Sequence, residues 1–169
     1  PAAPFLPGRS PLSLRRRVRH SPSVLTPRAR RGGSGTLTSA DAEDALARYG
    51  RFFDLSLDLL CIAGFDGAFK RINRAFARAT GYAQAELLAA PFLSFIHPAD
   101  LDATVAEAGR LARGLAMLSL ENRFRCKDGT YRWLAWNATS VREERLIYAS
   151  ARDVTERVRD REASRLLVE

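Results

Sequence analysis

Catalytic or metal chemistry in this 169-residue chain would have to come from two histidines, two cysteines and 19 carboxylates. His20 and His97 lie far apart, with no partners spaced to close a tetrahedral metal set. Cys61 and Cys126 form no CxxC pair, and each falls inside a strand-like run, so both read as reduced core thiols. The acids and His97 show no paired spacing for acid–base work. There is also no nucleophile motif, no glycine-rich phosphate loop and no histidine-kinase phosphoacceptor segment. The segment is therefore not expected to be an enzyme.

Charge is spread unevenly along the chain. There are 27 Lys and Arg against 19 acids, yet residues 1–40 hold eight Arg, six of the eight prolines and no Asp or Glu, so the whole +8 sits there. This stretch has no apolar periodicity that could offset the entropy of ordering it, and it reads as a disordered basic arm. Arginines near phosphate displace counterions, but composition alone is a weak signal, and nucleic acid is not the expected partner. The prolines spoil an amphipathic transit helix. No apolar run approaches the roughly 20 residues that span a bilayer, and a cytoplasmic location is expected.

The remaining pattern predicts the elements that would position a site. Thr38-Ser39-Ala40-Asp41 can cap a short helix leading to Phe52 and Phe53. Strands are predicted over 59–65 and 68–72, turning at Asp66-Gly67. Short irregular helices follow from Asn73, with Gly81 as a left-handed cap and Pro91 as a stop. His97-Pro98-Ala99-Asp100 opens a longer helix whose Leu101, Val105, Ala108, Leu111 and Ala112 are predicted on one face. Three more strands, over 118–126, 130–141 and 146–152, turn at Asp128-Gly129 and at the glycine-free Arg142-Glu143-Glu144-Arg145. Together these give an α+β fold with five antiparallel strands and helices on one face. Trp133 and Trp136 are three apart, which puts them on opposite strand faces.

The run Glu121-x-Arg123, Lys127-Asp128-Gly129-x-Tyr131-Arg132-Trp133 and Arg152-Asp153-Val154-Thr155 resembles the C-terminal half of a PAS sensor domain. Asp66-Gly67, Asn73-x-Ala75-Phe76, Thr80-Gly81-Tyr82, Glu86-Leu87-Leu88 and His97-Pro98-x-Asp100 extend that resemblance over residues 48–157. Ala83 departs from the family pattern, where a Ser or Thr often caps the next helix. The resemblance implies strand order 2-1-5-4-3 around a small pocket. It also implies a layout of arm 1–40, PAS domain 41–157 and the start of a C-terminal linker helix at 158–169. The chain is then a fragment of a larger signalling protein.

The resemblance further implies a sensory role, coupling ligand occupancy or dimer packing to an output domain in cis, such as a histidine kinase or diguanylate cyclase. A ligand-free interaction and dimerisation module is the alternative. Asp153 and Thr155, which can bond local backbone and cap the exit helix, are the expected relay together with Trp133. Candidate pocket residues are Asn73, Phe76, Phe95, Leu111, Asn122, Phe124 and Asn137, the amides being suited to orienting a polar ligand among apolar neighbours. The cofactor is left open. Residues 85–95 lack the cysteine of covalent flavin photochemistry, and residues 101–113 lack a histidine for haem, so both are disfavoured; His97 reads as a turn or cap residue. A small-molecule ligand and a homodimer are the partners considered.

Overall fold

The structure, a computed structural model, describes residues 38–167. The expected arm lies almost wholly outside the described residues. Helix α1 (Ser39–Leu55) starts from a capping box: the Asp41 amide donates to the Thr38 hydroxyl (3.2 Å) while the Asp41 carboxylate accepts from the Thr38 amide (3.0 Å). It is longer than the short helix expected, because Phe52 and Phe53 lie inside it rather than after it.

Strands β1 (Leu59–Gly64) and β2 (Phe69–Ile72) form a hairpin at Asp66-Gly67, where Gly67 has φ +83° and Asp66 Oδ1 accepts from the Ala68 amide at 3.1 Å. Helices α2 (Arg74–Thr80) and α3 (Gln84–Leu88) follow, the first closed by Gly81 at φ +77°. Although Ala83 cannot cap α3 with a side chain, Glu86 accepts from its amide at 2.8 Å and also binds Lys127. Two 3₁₀ turns, Phe92–Phe95 and Pro98–Asp100, lead into α4 (Leu101–Ala112). The chain then runs through β3 (Met117–Arg125), β4 (Tyr131–Val141), β5 (Leu146–Asp153) and α5 (Thr155–Leu166).

The strands pair antiparallel in the order β2-β1-β5-β4-β3, as expected. The tight β4–β5 connection manages without glycine because Arg145 itself adopts φ +54°, its amide donating to the Arg142 carbonyl at 3.1 Å. Helices α2 to α4 cover the inner sheet face. Their shared core is aromatic: Phe76 packs edge-on against Phe69 and Phe124, with centroids at 5.7 and 5.4 Å, and Phe95 stacks on Phe124 at 5.3 Å. Trp136 faces this core and is 7% exposed, whereas Trp133 lies on the outer face, as their spacing predicts.

The face that α4 turns inward departs from the expectation at Val105. Thr104 and Leu111 are buried while Val105 is 50% exposed. Thr104 goes inward because its hydroxyl has partners there, donating to the Asp100 carbonyl (2.8 Å) and accepting from Asn122 (3.1 Å).

Candidate functional site

A cavity of about 70 Å³ lies between α4 and the inner sheet face. Ala63, Ala108, Ala138 and Ala149 leave the space, Phe124 and Trp136 bound it with aromatic surface, and Leu111 closes it from α4. Its polar lining is confined to Asn122, Thr104 and Cys61. Asn122 uses both its polar atoms, since one amide N–H donates to Thr104 and its carbonyl accepts from the Trp136 indole at 2.9 Å. Burial pushes the Cys61 thiol up to about 12, so it stays protonated. Among the described residues, no Lys, Arg, Asp, Glu or His lines the cavity.

The junction between β5 and α5 is tied to β4. The Trp133 amide donates to the Thr155 hydroxyl at 2.9 Å, and its carbonyl accepts from the Val154 amide at 2.8 Å. Asp153 Oδ1 accepts from the Thr155 amide (2.9 Å), and its other oxygen pairs with Arg132. Burial raises the Asp153 carboxyl, but bonds from the Thr155 hydroxyl and amide and from Arg132 outweigh it and hold the group below its ordinary range. The N-cap position of α5 is Val154; Asp153, one residue earlier, takes the first helical amide. Arg157 and Arg161 then both reach Glu121 on β3, and Val158 is 2% exposed, so the first half of α5 is docked rather than solvated.

The candidate pocket residues separate into three groups. Leu111, Asn122 and Phe124 line the cavity. Phe76 and Phe95 belong to the aromatic core beside it. Asn73 and Asn137 are elsewhere, which corrects their placement. Asn73 is buried, but its amide is spent on backbone: it accepts from Phe76 and Leu60 and donates to Phe53 and Asp58, fastening α2 to β1 and α1. Asn137 sits on the outer sheet face and accepts from the Ser119 amide at 3.1 Å, where Ser119 takes φ +58° in an irregularity of β3.

His97 caps its turn, its Nδ1 accepting from the Ala99 amide at 3.1 Å, and its ring lies edge-on to Tyr131. Both cysteines are free and buried.

Sequence reasoning missed three participants: Thr104, Arg132 and the Asp100–Arg123 pair. Asp100 accepts from the Arg123 amide, Nε and Nη2, each at 2.8 Å, and Arg123 holds its carboxyl below the ordinary range. Thr104, in the first turn of α4, stands four residues after Asp100 at the helix N-cap, a spacing that suits hydroxyl-to-carbonyl bonding. Arg132 and Asp153 are distant in sequence and meet only through the β4–β5 register.

A five-stranded antiparallel sheet in this order, with a helical crossover enclosing a small cavity, defines the class of fold. Residues 69–147 match the family model described as PAS fold, and the chain carries a PAS domain. Among solved structures, a domain of a sensory box sensor histidine kinase/response regulator from Geobacter sulfurreducens is 22% identical, with TM-score 0.56, over 70% of this chain and 100% of that one. The PAS domain of an HTR-like protein from Haloarcula marismortui is 19% identical, with TM-score 0.57, over 68% and 95%. A PAS domain from a two-component sensor histidine kinase is 19% identical, with TM-score 0.55, over 66% and 98%. No curated protein sequence matches the chain.

Proposed function

We propose that this chain is the sensory module of a signal-transduction protein, in which occupancy of the α4–sheet cavity is passed along β4 to α5 and onward to an output domain in cis, such as a histidine kinase or diguanylate cyclase. One observation carries this reading. The strand that supplies Trp136 to the cavity also supplies, three and four residues earlier, Trp133 and Arg132 to the clamp on Val154, Thr155 and Asp153. A ligand that displaces the Trp136 ring therefore pulls on the strand that holds the exit helix. Such coupling requires that the ligand bind one arrangement of that strand better than the other.

The lining supports a narrow class of ligand. Asn122 spends its oxygen and one amide N–H within the protein, and among the described residues no charged side chain lines the cavity, so little is left to orient a carboxylate or a flavin. The volume of about 70 Å³ is well below the roughly 300 Å³ at which drug-sized pockets begin. A neutral, apolar ligand of a few heavy atoms fits, and the segment has no catalytic role in this reading. Buried free thiols accord with a reducing cytoplasmic compartment. Among the described residues no helix is long and apolar enough to cross a membrane.

The test is amide NMR of the chain titrated with benzene and short-chain alcohols. Shifts are expected at the Trp136 indole and Leu111, accompanied by shifts at Thr155 and Val158. Cavity shifts that leave α5 untouched would sink the coupling. No shift at either site would sink the ligand reading as well.

A further inference from the structure

Helix α4 forms one wall of the cavity, and its two ends are fastened differently. At the start, Asp100 accepts from the Arg123 amide and guanidinium, Thr104 accepts from Asn122 and donates to the Asp100 carbonyl, and the His97 amide donates to the Arg123 carbonyl. These bonds share partners, so the first turn is braced to β3 as a unit. Among the described residues, one hydrogen bond ties the last turn to the sheet: the Ser140 hydroxyl donates to the Leu111 carbonyl at 2.6 Å.

The sheet beside that last turn is itself irregular. Met117 pairs with Ala138, two residues from Ser140, and the register then shifts before Leu120. Within the shift Ser119 holds φ +58°, a strained conformation for a residue with a Cβ, and its amide is taken by the Asn137 side chain. Leu120, next to the irregularity, lines the cavity together with Leu111.

Packing along α4 follows the same gradient. Thr104 and Leu111 are buried, while Val105 faces solvent and Ala108 offers the cavity only a methyl group. Leu111 is therefore the large apolar side chain by which the second half of the helix grips the core. A helix end held by one such anchor and one tertiary hydrogen bond opens at a lower free energy than the sheet it covers.

We infer that α4 is a hinged lid: it pivots on the Thr104–Asn122 brace and lifts at Leu111, breaking the Ser140 bond and opening the cavity between Leu111 and Leu120. As a way in for a small molecule the lift rests on the ligand reading. The motion itself is a property of the domain alone and is tested with no ligand, so the two can fail separately.

Hydrogen exchange of the full chain reads the lift at the Trp136 indole N–H, which is bonded to Asn122 in the cavity wall. Its protection is expected to be at least about tenfold smaller than that of the Leu134 amide, with a urea slope above zero but well below that of global unfolding. Ser140→Ala should speed indole exchange about fivefold further, the effect of one lost hydrogen bond on an opening equilibrium. The Leu111 carbonyl keeps the Gly114 amide at 2.8 Å, so this variant leaves no bare acceptor and the domain folds, which circular dichroism verifies. Asp100→Asn weakens bonds that survive the lift, so it should speed exchange at Leu134 and leave the indole unchanged. An indole with the protection and urea slope of Leu134 would overturn the inference, because the cavity would then open only by unfolding. Indole exchange indifferent to Ser140→Ala would overturn it as well, and acceleration by Asp100→Asn as strong as by Ser140→Ala would put the moving part at the wrong end of the helix.

Discussion

Trp136 donates its indole N–H to the Oδ1 of Asn122 at 2.9 Å, and this bond joins β4 to β3 on the inner face of the sheet. Because Asn122 also donates to Thr104, which in turn donates to the Asp100 carbonyl, one buried chain of polar groups runs from β4 through β3 to the start of α4. Every member is satisfied, which makes the chain stabilising while intact and costly to break.

Asn122→Leu leaves both the Trp136 N–H and the Thr104 hydroxyl short of a partner in an apolar cavity. Denaturant unfolding is expected to show a loss of about 1–3 kcal/mol. Adding Trp136→Phe removes one orphaned donor, so the double variant should lose less than the sum of the two. Strict additivity in the double-mutant cycle would mean that the bond is not energetically coupled.

Stability should fall steeply below about pH 4. Asp100 and Asp153 both have folded-state carboxyls held below the ordinary value. A depressed group contributes above its unfolded value, about 3.9, and the contribution disappears as pH falls through the folded value. Asp41, Asp66, Glu86 and Asp128 shift in the same direction at the surface. Urea midpoints between pH 6 and 2.5 should therefore decline on acidification, and Asp100→Asn should flatten the decline while lowering the plateau. A wild-type profile that rises on acidification would contradict the assignment.

Asp153→Ala removes the acceptor for the first amide of α5 and the partner of Arg132. Loss of such a cap costs about 1 kcal/mol, and here the loss is local to the helix. Hydrogen exchange should speed up at Thr155 to Val158 by severalfold while the amides of Phe124 and Leu134 keep their protection. Equal acceleration throughout would mean that the clamp supports the whole domain rather than the exit helix alone.

Cys61 is enclosed by core residues and its thiol is pushed up to about 12, so the thiolate that reacts with alkylating reagents is scarce. Labelling with iodoacetamide at about pH 8 should proceed at Cys61 only as fast as the domain opens. Rapid, urea-independent labelling would show that the cavity admits solvent to this position.

Turn chemistry made much of the fold legible in the sequence. Gly67 and Gly129 hold φ of +83° and +84°, a conformation that an Asp-Gly pair between apolar runs announces without any tertiary information. The opposite facing of Trp133 and Trp136 needed only the two-residue period of a strand. Readings of the site were less secure where a polar side chain had a choice of partner. Asn73 and Asn122 look alike in sequence, as amides among apolar neighbours; backbone groups of α1, α2 and β1 claim the first, while Thr104 and Trp136 claim the second. Val105 lost its expected place because counting apolar spacing cannot register that Thr104 is satisfied inward. Asn137 serves an irregularity at Ser119, and no motif signals that a serine will take a left-handed backbone there.

The Asp100–Arg123 contact also decides how this sheet meets other chains. At β3, Asp100 accepts from the Arg123 amide and the His97 amide donates to the Arg123 carbonyl, with Ile96 bridging to Phe124 alongside. At the opposite border, Ala68 bridges to Pro91 and the Phe92 amide donates to the Gly67 carbonyl. At one end of each border, backbone groups that would template an incoming strand are already taken, which limits edge-to-edge pairing there.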